Sequence, residues 1–281
     1  METAQKPTPT ILFLCGMQPH HLALRAKLEA VTPLAATIMR HQRRVGLPRR
    51  VWETSGRVIG RGMFGLSLRQ SWKSVMANFD RSRTPAISPV MVVADINDDR
   101  VIARVATLRP DLVIVSGTNI LRAALIAAIR QSGVIINLHT GISPWVKGAP
   151  NSTNWCLANR TFGLIGNTVH WLDDGIDSGN IIATERTALT GEEDLDTLHR
   201  KVLDHGQDLL LRAVARHLHG GILHSVAQDE LGEGKLYLQR HWTGWTALKA
   251  ILNFRRLFRP ANIDAGLTGA MRLIALDSPA T

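Results

Sequence analysis

Between residues 90 and 137 the chain alternates short apolar runs with helical stretches, and few folds tolerate that rhythm. Val90-Met91-Val92-Val93, Leu112-Val113-Ile114-Val115 and Val134-Ile135-Ile136, the last ending at Asn137, are continuous apolar runs with no polar-out alternation. Strands of that kind are buried on both faces, as parallel strands are. Between them, Asn97 or Asp98 can cap a helix to about Leu108, and a second helix spans about Leu121 to Gln131. Strands alternating with helices predict an α/β fold with a mostly parallel sheet and helices on both faces. Ligands of such sheets bind beyond the carboxyl ends of the strands, where Asn137 and His139 fall.

The flanking sequence extends this plan. Residues 10–15 form an apolar run ending in Gly16, read as an opening strand. A helix is expected over about 20–42, with Leu22, Ala26, Leu28 and Ile38 among its apolar positions, and another over 66–80. Pro85 and Pro89 mark a loop. Residues 163–172 and 180–189 read as an antiparallel pair around the turn Asp173-Asp174-Gly175-Ile176-Asp177-Ser178-Gly179. Thr190-x-x-Glu193 reads as a capping box opening a helix to about His219, which Gly220-Gly221 ends. The expected organisation is a domain over 1–220, with a basic helical insertion at about 40–85, and a C-terminal extension over 221–281.

Asn137 and His139 stand two apart at the end of a buried strand, so both side chains point the same way. An amide and an imidazole there can donate hydrogen bonds to a carbonyl oxygen that becomes an oxyanion. Asp177 can accept a proton, directly or through water. Together they suit attack by an amine on an acyl or formyl carbon. The same residues also read as a loop-capping pair and a turn aspartate.

A composite pattern then bears on the choice. Asn137-Leu138-His139, Pro144-x-x-Lys147-Gly148, Trp155, Val169-His170-Trp171 and Gly175-Ile176-Asp177-Ser178-Gly179 together resemble the signature of the folate-dependent formyltransferases. The resemblance runs well over Val134 to Ile182, more weakly over about 90–219, and before residue 90 mainly in the opening strand. It implies a Rossmann-like sheet and an enzyme using 10-formyltetrahydrofolate as formyl donor, with no metal. It implies that Asn137 holds the formyl oxygen, His139 stabilises the oxyanion, and Asp177 positions His139 and moves protons. His170 matches a residue near the site, with a structural role beside Asp177. The pterin would lie between the Ser116–Leu121 loop, with Thr118, Asn119 and Leu121, and the turn residues Asp173, Asp174, Gly175 and Ile176. One departure stands out: the family usually has Pro-Ser after the histidine, whereas this chain reads His139-Thr140-Gly141-Ile142-Ser143-Pro144, bordering the acceptor side.

Acceptor identity is approached by elimination. Methionyl-tRNA enzymes carry a C-terminal barrel larger than the extension here, the purine-pathway enzyme is shorter, and deformylases carry an added N-terminal domain. An amine on a nucleotide-linked amino sugar is therefore expected, with an amino acid, siderophore or tRNA-linked amine, or a basic binding protein retaining the fold, as alternatives. The net charge of +10 favours an anionic partner. Residues 40–61 hold seven arginines and one acid, Glu53, suiting a solvated insertion or a phosphate-bearing acceptor; nucleic acid is disfavoured because aromatic interleaving is absent. Gly60-Arg61-Gly62-Met63-Phe64-Gly65 matches a dinucleotide pattern but lacks a preceding strand and a correctly spaced acid. Trp242–Phe258 reads as a helix packed on the main domain or on a second subunit in a homodimer, or as a basic membrane-surface helix. Cys15 and Cys156 have no metal or redox spacing, and His20-His21 lack the further ligands a zinc site needs. With no stretch resembling a secretory signal or a membrane span, the chain is expected to be cytoplasmic.

Overall fold

Seven strands make the central sheet of the computed structural model, which describes residues 8–41, 68–81, 87–148, 151–175, 177–269 and 271–276. They are β1 (Ile11–Gly16), β2 (Ala36–Arg40), β3 (Val90–Val93), β4 (Leu112–Ser116), β5 (Val134–His139), β7 (Gly166–Trp171) and β8 (Ile181–Arg186). Their order is β3-β2-β1-β4-β5-β7-β8; the first five are parallel, and β7 and β8 are antiparallel. A separate two-stranded ladder joins β6 (Val146–Gly148) to β9 (Lys235–Tyr237). The arginine-rich stretch beyond His41, the Gly60–Gly65 pattern, Pro85 and Ile176 lie outside the described residues.

The apolar runs of β1 and β4 are explained by two cores, whereas β3, expected to be buried on both faces, is an edge strand with Val90 and Val92 exposed. Ile11, Phe13 and Cys15 of β1 pack with Leu24 and Leu28 of α1 (Pro19–Val31) and with Leu209, Leu210 and Ala213 of α6 (Leu195–Leu218). Leu12 and Leu14 point to the opposite face, against Val101 and Val105 of α3 (Asp99–Leu108) and Leu125, Ile126 and Ile129 of α4 (Ala123–Arg130). Every side chain of β1 is thus in a core, as the period of two requires for a sheet covered twice. Helix α2 (Leu68–Arg81) buries Val75 and Phe79 beside α1 and α6.

Two further expectations from the sequence need correction. The stretch read as one helix over 20–42 is α1 followed by β2. Pro33 disfavours a helical conformation at Thr32, which is extended (φ −158°, ψ 144°), so α1 ends at Val31 and Ile38 sits in a core strand. Helix α6 begins at Leu195 rather than after Thr190: Asp194 is its cap, accepting from the Thr197 N–H at 2.7 Å. Glu193 does accept from the Thr190 N–H, at 2.9 Å, but this closes the turn before the helix.

Helix α7 (Gly244–Leu257) packs on α5 (Ser152–Asn159). Ala250, Phe254 and the following Phe258 share a core with Trp155, Leu157 and Phe162. Asn253 donates from Nδ2 to the Leu157 and Ala158 carbonyls at 2.9 and 3.0 Å, supplying partners that a helix end cannot find within itself. Among the described residues no helix is long and apolar enough to cross a membrane. Asn253→Ala should cost about 1–3 kcal/mol in urea unfolding, since the Ala158 carbonyl loses its donor and the Leu157 carbonyl keeps only the long bond from the Arg160 N–H, at 3.4 Å. Unchanged stability would show that these bonds do not hold α7 in place.

Candidate active site

Strand register brings the site together. On one side of β5, Asn137 pairs with Val115 of β4; on the other it faces His170 of β7, and His139 faces Thr168. The His170 Nδ1–H donates to the Trp171 carbonyl at 2.8 Å, which leaves Nε2 to accept from Asn137 Nδ2 at 2.9 Å. This chain of bonds fixes the orientation of the Asn137 amide. The His139 ring lies with Nδ1 3.2 Å from Asp177 Oδ2 and Nε2 2.8 Å from the Val146 carbonyl. Both nitrogens face oxygen acceptors, which an imidazolium satisfies with two donors and a neutral ring with one. Gly141 lies against this ring: a Cβ there would stand 2.6 Å from His139 Nε2. The segment that departs from the family pattern therefore has a glycine where only a glycine fits.

Asp177 arrives from the turn between β7 and β8 with φ 48°, a left-handed conformation that non-glycine residues adopt only when their surroundings impose it. Its Oδ2 accepts the Gly148 N–H at 2.9 Å, and its Oδ1 lies 3.5 Å from His170 Nε2 and Asn137 Nδ2. Burial alone would raise the carboxyl's pKa. The charge of His139 and the hydrogen bond from the Gly148 N–H outweigh it, holding Asp177 well below the usual carboxylate range. Gly179 closes the turn against β7, where a Cβ would meet the Trp171 carbonyl at 1.8 Å.

These residues open onto one cleft of about 770 Å³ at the carboxyl end of the sheet. Thr118, Asn119 and Leu121 line it from the loop after β4, and Asp173 and Gly175 from the acidic turn. Asn119 has its side chain committed to the loop, donating to Asp95 Oδ1 at 2.8 Å and accepting from the Ile96 N–H at 3.3 Å. Asp174 is exposed and is not among the lining residues.

Sequence reasoning passed over a second part of the lining. His20 and His21 of α1, Trp72 of α2 and His199 of α6 line the same cleft, with Trp72 edge-on to His20 at 5.6 Å and to His199 at 6.0 Å. Burial lowers His21 and His199 to about 4 each, so this wall is uncharged at neutral pH. The paired His20-His21 was the available signal, considered only as metal ligands; no metal-binding cluster forms among the described residues. Arg40, at the end of β2, is the one Lys or Arg among the described lining residues, and its Nε is buried without a hydrogen-bond partner.

Residues 62–214, more than half of the chain, match the Formyl transferase family model. The chain belongs to the formyl transferase family. A methionyl-tRNA formyltransferase from Syntrophus aciditrophicus is 32% identical over 129 residues, which is 45% of this chain and 39% of that protein. One from Chlorobium chlorochromatii is 30% identical over 128 residues, 46% of this chain and 40% of that one. The matched region thus spans about two fifths of these relatives' length. Among solved structures, a sugar N-formyltransferase from Shewanella aligns with TM-score 0.54 and 12% identity over 87% of each chain. A phosphoribosylglycinamide formyltransferase from Bacillus halodurans aligns with TM-score 0.51 and 16% identity over 74% of this chain and 95% of that one. At such identities the two structures share the fold with this chain. The family match includes α2, inside the stretch read as an insertion.

The depressed pKa of Asp177 carries a pH signature. A carboxylate lowered in the folded state stabilises fully above its unfolded pKa of about 3.9, and that contribution is lost as pH falls toward the folded value. Thermal melts from pH 5 to pH 3 should therefore show wild type losing stability more steeply than Asp177→Asn. Parallel slopes would contradict the ionised, buried carboxylate.

Proposed function

We propose that this chain transfers the formyl group of 10-formyltetrahydrofolate to a primary amine, with Asn137, His139 and Asp177 as its chemical centre. The observation that carries the reading is their convergence: Asp177 Oδ2 stands 3.2 Å from His139 Nδ1, beside Asn137, at the mouth of one cleft. The reading of this cleft as the donor site is supported by its boundaries, the Thr118–Leu121 loop and the turn residues Asp173 and Gly175. Bound there, the folate supplies an activated formyl carbon on N10. Asn137 offers an amide N–H to the formyl oxygen as it gathers negative charge, and His139 adds a second donor once its Nε2 releases the Val146 carbonyl. The acceptor nitrogen forms its bond to the formyl carbon, the bond to N10 breaks, and the proton lost by the amine passes to N10. Asp177, held ionised, is a weak base, so its part is to orient the His139 ring while that proton moves through water. His170 fixes the Asn137 amide.

The acceptor is proposed to be an amine on a nucleotide-linked amino sugar. Arg40 offers one guanidinium to a phosphate, and the uncharged wall of His20, His21, Trp72 and His199 suits a hydroxylated ring. A tRNA-linked amine is the second reading, favoured by the names of the sequence relatives. Incubation with 10-formyltetrahydrofolate and either a UDP-linked amino sugar or methionyl-tRNA, read by mass spectrometry, separates the two. Formylated sugar with untouched methionyl-tRNA is expected; the reverse would overturn the acceptor assignment alone. With the accepted amine, Asn137→Ala should lower kcat about 10²–10³-fold. Wild-type kcat in that variant would remove Asn137 from the mechanism.

A further inference from the structure

We infer that Gln228, in the segment following α6, is a positioning residue for Asp177, so that residues 226–237 belong to the catalytic apparatus. The inference rests on the proposed role of Asp177. Gln228 is 7% exposed, and its Nε2 donates both to the Asp177 carbonyl at 2.6 Å and to the Gly179 carbonyl at 2.8 Å. Both partners can only accept, so the amide must present its NH₂ group to them. Its Oε1 is left buried without a partner. A buried oxygen without a partner is unfavourable, and here it accompanies an NH₂ that spans both ends of the Asp177-Ser178-Gly179 turn.

The placement of Gln228 is itself anchored. Two residues earlier Val226 bridges Ile181, the first residue of β8, through paired backbone bonds of 2.8 and 2.9 Å. Nine residues later Tyr237 of β9 is in register with Gly148 of β6, and the Lys235 N–H donates to the Trp145 carbonyl at 3.1 Å. Gly148 supplies the N–H that Asp177 Oδ2 accepts at 2.9 Å. One stretch of chain therefore grips Asp177 at its carbonyl and sets the donor that meets its carboxylate. This answers a specific need. At φ 48° the direction of the Asp177 side chain depends on an unfavourable backbone conformation, and relaxation to negative φ would swing the carboxylate away from His139.

Two readouts test the role. The Gly148 amide resonance, shifted downfield by its carboxylate partner, reports on Asp177 without any acceptor being needed. It should move upfield in Asp177→Asn, and in Gln228→Ala by at least half as far, while 5-formyltetrahydrofolate still binds within 3-fold of wild type. In formyl transfer with the amine that wild type accepts, Gln228→Ala should lower kcat about 10-fold with KM for 10-formyltetrahydrofolate within 3-fold. Adding it to Asp177→Asn should cost nothing further, because both changes act through one carboxylate. Gln228→Glu should be slowest at neutral pH and partly recover toward acid pH, as the protonated carboxyl regains one donor. A wild-type Gly148 resonance in Gln228→Ala, or a multiplicative loss in the double variant, would overturn the role. If Asp177→Asn itself leaves transfer unchanged, the mechanism fails rather than the role of Gln228.

Discussion

The site depends on one buried contact, the carboxylate of Asp177 against the imidazole of His139. Burying an ion without partners is costly, so the structure surrounds this one with the His139 ring, the Asn137 amide and the Gly148 N–H. Each donor has its own support. The Asn137 amide is oriented by His170 across the β5–β7 register, Gly148 is set by the β6–β9 ladder, and Asp177 itself is delivered by a left-handed turn closed at Gly179. The site is therefore a product of tertiary structure, and no short segment could form it alone.

The sheet explains why this assembly opens where it does. Its five parallel strands end on one side, and the covered faces of the central ones leave the carboxyl ends as the place where side chains meet a cavity. The two walls of that cavity differ chemically. One is loop backbone and turn, suited to a flat heterocycle read through peptide groups. The other is an uncharged aromatic and imidazole surface from three helices, with Arg40 as the single cation among the described lining residues.

Much of this was legible in the sequence. Continuous apolar runs located β3, β4 and β5, and the two-residue spacing of Asn137 and His139 put both at a strand end. The acidic turn was read as the connection of an antiparallel pair, which it is. What escaped has physical reasons. Strand β2 was absorbed into a helix because its apolar residues were counted at helical spacing across Pro33, which should have ended the count. The three-residue strands β6 and β9 are too short to carry a period. The bond between Asn137 and His170 is set by cross-strand register, and the wall of His20, Trp72 and His199 joins three helices far apart in the chain. Neither relation is written in local sequence.

The most direct measurement is calorimetric titration of the full chain with a stable 10-formyltetrahydrofolate analogue, comparing wild type with Asp177→Asn. The account predicts one saturable site per chain in both proteins, since the donor is held mainly by loop backbone, with Asp177→Asn binding but unable to transfer. A folded wild-type protein that takes up no analogue would contradict the account at its centre, leaving the family fold without the family's donor.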